Sequence, residues 1–224
     1  MEVTGAVNVW IGLIEIIWFN IILSGDNAVV IALAARSLPP EQQRKAILLG
    51  SGFAVVLRIV LTLVAAKLLE LSFLQIVGGA LLVYVGVQLL TEGEEAHAEG
   101  HGGGGLLTAV RTILIADLVM SLDNVIAVAA AAHGSTTLLI LGLAISIPLV
   151  VFGSSLMIRV MDRFPVIVTL GAALIGWVGG ETIASDVVLR PSVEAYPWIH
   201  YAAAATGAVF VVLLGRALRK RQQP

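Results

Sequence analysis

Two matched stretches hold the residues best suited to chemistry. Asn20-Ile-Ile-Leu-Ser24-Gly25-Asp26-Asn27 recurs as Asp117-Leu-Val-Met-Ser121-Leu122-Asp123-Asn124. Both read [N/D]-x-x-x-S-x-D-N, and each runs on into a stretch of Ala, Val and Ile. The donors are all oxygen: Asp carboxylates, Asn amide carbonyls and Ser hydroxyls. Oxygen sets of this kind suit hard divalent cations such as Mg²⁺, Ca²⁺ or Mn²⁺. Two or three carboxylates would balance such an ion in a medium of low dielectric. The chain has no cysteine, and its methionines form no cluster, which disfavours copper. A purely structural reading competes, in which Asp and Asn bond across helices as polar glue. Glue does not require the same spacing twice, so the repetition favours a functional cation site.

Helical geometry sharpens the expectation. At about 100° per residue, Asp117, Ser121 and Asn124 share one stripe, and Asp123 stands roughly 120° from it. Asn20, Ser24 and Asn27 repeat that stripe, with Asp26 off it. An unbroken helix would not aim all these groups at one point. A local unwinding at Ser-x-Asp-Asn would, and it would free carbonyl oxygens as further ligands. Gly25 favours such a break in the first copy; Leu122 takes its place in the second.

Other polar residues fall within apolar stretches. Glu15 precedes Asp26 on the same stripe, about 16 Å away, as a stop on a pathway or an interfacial carboxylate. Arg58 sits mid-span, placed to hold an empty site's Asp charge and to be displaced by a cation or proton, or to form a static ion pair. Gln88 and Glu181 occupy matching positions near helix ends, as gates or as ordinary helix-end polarity. Glu92, Glu94, Glu95, His97, Glu99 and His101 lie in a Gly-rich segment that reads first as a solvated, flexible linker and second as a weak metal chelator. No Ser-His-Asp set, phosphate loop or HExxH motif is present, so no enzyme and no resident cofactor is expected.

The elements that must position these groups follow from composition. The 224 residues are 58% hydrophobic and only 12% charged, with a mean hydropathy of +1.00. Soluble domains carry roughly a quarter charged residues, so the class is membrane. The net charge of −2 offers no basic field for nucleic acid. The N-terminus lacks the basic region of a signal peptide, and the first apolar stretch reads as a retained span. Segments near the roughly 20 residues a spanning helix needs fall at 9–35, 43–68, 71–90, 107–133, 136–160, 165–185 and 198–216. The fold expected is all-α and polytopic. Basic residues cluster at 36–45, 159–163 and 216–221, which fall on one side if all seven segments span. That side is the cytoplasm, with the N-terminus outside and the C-terminus inside.

The likeness between halves extends past the motif. Leu49-Gly50 resembles Leu141-Gly142, and Tyr84-Val-Gly86-Val-Gln88 resembles Trp177-Val-Gly179-Gly-Glu181. Residues 1–90 therefore read as one three-helix repeat, 91–106 as the linker, 107–185 as a second repeat, and 186–224 as a seventh helix with a basic tail. An odd number of helices per copy inverts the second copy in the bilayer, a plan that places a transport site near the midplane.

Leu23-Ser24-Gly25-Asp26-Asn27-Ala28-Val29-Val30 and Asp117-x-x-x-Ser121-Leu122-Asp123-Asn124-Val125 resemble the signature of TerC-type integral membrane proteins. The likeness is nearest to the short bacterial YjbE-like subgroup, within the LysE-type transporter superfamily, and includes Arg58. The resemblance implies seven helices in two inverted repeats, and links to manganese export and, by name, to tellurium-ion resistance. The family's acids in helices 1 and 4 fall on Asp26 and Asp123, beside Asn27 and Asn124. Many members carry Glu where Asn20 stands, whereas Asp117 keeps an acid in the second copy. The expected function is export of a divalent cation, Mn²⁺ first, by alternating access in a bacterial cytoplasmic membrane. Asp26, Asp117 and Asp123 would bind the ion, helped by Asn20, Asn27, Asn124, Ser24 and Ser121. Expected partners are the bilayer, the ion and protons as counter-ions, and a homo-oligomer is compatible with the pattern. The alternatives are Ca²⁺/H⁺ exchange, LysE-like amino-acid export, or a membrane assembly protein that transports nothing.

Overall fold

The computed structural model describes residues 25–68, 71–98, 105–131 and 135–222, and at some helical positions, Asp123 and Asn124 among them, the backbone alone. All regular structure among these residues is α-helix: α1 (Gly25–Arg36), α2 (Pro40–Leu68), α3 (Leu74–Ala98), α4 (Leu106–Ala131), α5 (Thr136–Arg163), α6 (Val166–Ala184), the short α7 (Arg190–Ala195) and α8 (Trp198–Gln222). Proline punctuates the chain at Pro40, the first residue of α2, and at Pro165, which caps α6. Five of these helices, α2, α3, α5, α6 and α8, are long and apolar enough to cross a membrane. The outer surface is apolar. Phe53, Val56, Val60 and Leu63 form an exposed stripe along α2, and Phe152, Leu170 and Phe210 are exposed on α5, α6 and α8. Large exposed apolar surface rimmed by polar ends marks a lipid-facing molecule, while Arg58, Asp117 and Ser121 are buried inside.

Contacts at the helix ends fix the running directions. Arg36, closing α1, pairs with Asp162 near the end of α5 at 3.3 Å, so α1 and α5 run the same way. Asp186, just beyond α6, accepts N–H groups at the start of α3. The start of α3 and the end of α6 therefore share the opposite face of the bundle. Short connections turn each helix back on its predecessor. Thus α1, α2 and α3 run down, up and down, while α4, α5 and α6 run up, down and up. Arg36, Arg44, Lys45, Arg111, Arg159, Arg163, Arg216, Arg219 and Lys220 all belong to helix ends on the Arg36–Asp162 side.

The helices pack in two groups. One joins α3, α6 and α8, the other α1, α2, α4 and α5. The first is held backbone to backbone through glycine. A Cβ on Gly180 would run into the carbonyl oxygen of Ala203 on α8, and one on Gly79 of α3 into that of Gly179 on α6. Such close approach lets helices associate through dispersion contacts where lipid removes the hydrophobic incentive.

Two expectations change. Helix α3 continues to Ala98, through the first part of the segment read as a flexible linker. Glu and Ala are strong helix formers there, and the glycine run begins only afterwards. Helix α4 passes through Ser121–Asn124 without a break, so the unwinding expected in the second copy is absent. On this unbroken turn Leu122 is buried with Leu61 and Val125.

Asp186 braces the bundle at the other face. The carboxylate is fully buried and accepts the N–H groups of Phe73, Gln75, Ile76 and Val188 at 3.0–3.3 Å. Three of these are N–H donors at or next to the first turn of α3, which has no intrahelical partner for them. The brace also holds Phe73, whose left-handed φ of 68° is costly for a bulky side chain. Burial pushes the Asp186 carboxyl up, but the four backbone donors together outweigh it and hold it below the usual carboxylate range. With a depressed folded pKa, the contribution to stability is complete above about pH 4 and is lost as pH falls through the folded value. Asp186→Asn is expected to lower stability by roughly 1–3 kcal/mol at pH 7. Thermal unfolding in detergent should show the gap between variant and wild type closing in acid; a gap independent of pH would contradict the assignment.

Candidate functional site

The centre of the second helix group holds a polar cluster. Arg58 enters from α2 and is 5% exposed; Asp117 enters from α4 and is 6% exposed. The Arg58 Nη2 donates to Asp117 Oδ1 at 2.5 Å, and its Nε donates to Ser121 Oγ at 2.9 Å. Ser121, one turn beyond Asp117, donates in turn to Asp117 Oδ2 at 3.2 Å. Both carboxylate oxygens are therefore engaged. The i, i+4 spacing of Asp117 and Ser121 on an unbroken α4 puts both groups on the face toward α2.

A cavity of about 20 Å³ adjoins this cluster. That is room for about one water molecule or one dehydrated ion. Its lining comes from four helices: Asn27 and Ile31 of α1; Ser51, Ala54, Val55 and Arg58 of α2; Asp117 of α4; and Leu143, Ser146, Ile147 and Val150 of α5. Ser51 is 2% exposed, and its Oγ has no hydrogen-bond partner among the described residues. Ser146 returns its hydroxyl to the Gly142 carbonyl at 2.9 Å, which leaves its oxygen lone pairs available. Asp26 does not line the cavity but stands beside Asn27, whose backbone N–H it accepts at 2.8 Å. It lies within electrostatic reach of both Arg58 and Asp117.

The expected residues thus separate into groups. Asn27, Asp117, Ser121 and Arg58 are brought together, with Asp26 adjacent. Asp123 and Asn124 lie on α4 two and three residues past Ser121, and their side chains are outside the description. Glu15, Asn20 and Ser24 lie outside the described residues. Gln88 and Glu181 do not line the cavity: they belong to α3 and α6, and Glu181 pairs with His200 of α8 at 3.1 Å. Ser51 and Ser146 were not singled out in the sequence, although each lies close to the Gly50/Gly142 correspondence. Among the described residues no three carboxylates or imidazoles converge. Any ion here would rely on neutral oxygens as well as on Asp117.

Comparison with known proteins decides the family. Residues 6–223 match the family described as integral membrane protein TerC. The chain belongs to the TerC family. This TerC protein is 46% identical over 177 residues to the Bacillus subtilis membrane protein YjbE, described as uncharacterized, covering 79% of this chain and 80% of that one. It is 29% identical over 197 residues to the Escherichia coli inner membrane protein YoaE, covering 79% of this chain but 38% of YoaE. Bacillus subtilis YkoY, another membrane protein described as uncharacterized, is 25% identical over 190 residues, with 58% of it covered. No solved structure matches this TerC protein.

Proposed function

We propose that this TerC protein exports a divalent cation, Mn²⁺ first, by alternating access around the cavity at Arg58 and Asp117. The observation that carries the reading is the pairing of the lining. Ser51, Ala54, Val55 and Arg58 of α2 correspond one to one with Leu143, Ser146, Ile147 and Val150 of α5. The offset is the one that matches Gly50 with Gly142. A single pocket built from equivalent faces of both halves is what a site on the axis between two inverted repeats requires. The opposite running directions of α1–α3 and α4–α6 support the same arrangement, with α1 and α4 completing seven spans. The basic helix ends share one face, which supports a cytoplasmic C-terminus and an N-terminus outside the cytoplasmic membrane.

The cavity's size and chemistry support a small hard cation as substrate. Oxygen donors from Asn27, Ser51, Asp117 and Ser146 suit a hard cation. A cavity of about 20 Å³ suits a single ion better than an amino acid. Protons at the Asp carboxylates are the proposed counter-ions.

The second reading is a membrane assembly protein, favoured by the fully satisfied Arg58–Asp117–Ser121 network, which has the form of interhelical glue. Mn²⁺ separates the two. Binding to the native state at 100 times Kd raises stability by about 2.7 kcal/mol. The exporter should therefore melt higher in millimolar Mn²⁺ and release Mn²⁺ from loaded liposomes. No stabilisation by any divalent cation, together with no flux, would leave the assembly reading in place.

A further inference from the structure

Arg58 offers more than a neighbouring charge. Its guanidinium and Ser121 each donate to one oxygen of Asp117, so a cation reaching the carboxylate competes with a fixed positive charge already held there. Guanidinium does not shed its proton in proteins. The charge can therefore leave Asp117 only by movement of the side chain. A divalent ion beside an undisplaced guanidinium would meet direct repulsion in a cavity that admits one particle. The cavity is also asymmetric where it matters, because the position matching Arg58 across the two halves is Val150. One half contributes a cation and the other contributes none.

We infer that Arg58 is a tethered counter-cation that holds Asp117 in the unloaded protein and is displaced by the cargo. The inference rests on the cation-transport reading and deepens it. Cargo and guanidinium compete for one carboxylate. With the cavity unloaded, the Asp117–Arg58 pair is neutral, so Asp117 adds no bare charge to carry through low dielectric when the unloaded protein reorients. Net one-way export is then feasible at this carboxylate without a replacement ion. Without Arg58, Asp117 would have to take up a proton before the unloaded protein could return, so net efflux would become limited by that step while the loaded form still moved.

The test uses the purified full chain in liposomes, with Arg58→Gln and Arg58→Lys beside wild type. Three quantities are read: Mn²⁺ affinity by calorimetry, net Mn²⁺ efflux into Mn²⁺-free buffer, and exchange of isotopically labelled for unlabelled Mn²⁺. In Arg58→Gln, affinity should tighten by about tenfold because the internal competitor is gone. Net efflux should fall by a similar factor while exchange stays near wild type. Arg58→Lys keeps the charge but loses the Ser121 tie and the planar fork, so its affinity should tighten by about threefold. That variant carries the test if Arg58→Gln fails to fold. Unchanged or weaker affinity in a folded variant, or equal losses of net efflux and exchange, would overturn the inference while leaving cation transport intact. No Mn²⁺ binding by wild type would overturn the transport reading and this inference with it.

Discussion

Asp117→Ala is expected to destabilise the protein by about 3–5 kcal/mol, because it strands a buried charge. Arg58 is 5% exposed and donates to Asp117 and to Ser121, which is itself fully buried. With the carboxylate gone, a guanidinium that cannot deprotonate stays charged between packed helices. The reverse change, Arg58→Met, should cost less, because Asp117 can take up a proton and become neutral. The double variant Asp117→Ala/Arg58→Met removes both charges and should recover most of the loss, since a buried ion pair and an apolar pair of similar volume are often near equal in stability. Equilibrium unfolding of the four proteins in detergent reads the cycle. Additive single losses would show that the pair is not coupled as its geometry requires.

The sequence announced this pair only in part. Long apolar runs made the helical membrane class plain, and the doubled motif brought Asn27, Asp117 and Ser121 forward. Arg58 stood out because a charge inside a span is rare and costly. Ser51 and Ser146 did not stand out, since a small hydroxyl residue in an apolar helix usually reads as packing. Their meaning depends on lining one cavity from two helices that only the fold makes neighbours. Asp186 escaped for a related reason: as an acid after a helix it reads as loop polarity, and its value comes from the distant first turn of α3. The unwinding expected at Ser121–Asn124 assumed that all the polar groups must share one aim. Helix α4 is unbroken there, with Leu122 buried, and Asp117 and Ser121 meet Arg58 from a regular helix.

If the protein exports Mn²⁺ as proposed, Asp26→Asn should reduce the efflux by about 100-fold at sub-saturating Mn²⁺ while leaving the fold intact. Arg58 pairs with Asp117, and Asp26 makes no ion pair among the described residues, so an ionised Asp26 would add net negative charge beside the cavity. A unit charge a few ångströms from a divalent ion in a low-dielectric site contributes a few kcal/mol, and each 1.4 kcal/mol is a factor of ten. The local role of Asp26 is to accept the Asn27 N–H at 2.8 Å. An asparagine carbonyl can accept the same bond, so melting temperature should change little and the loss would report charge alone. Asp26→Glu keeps the charge on a longer arm and should retain part of the flux. Efflux from loaded liposomes and manganese tolerance of cells relying on this protein both read the effect. Wild-type flux in Asp26→Asn would remove the first motif from the transport path, and the site would then rest on Asp117 and its α4 neighbours.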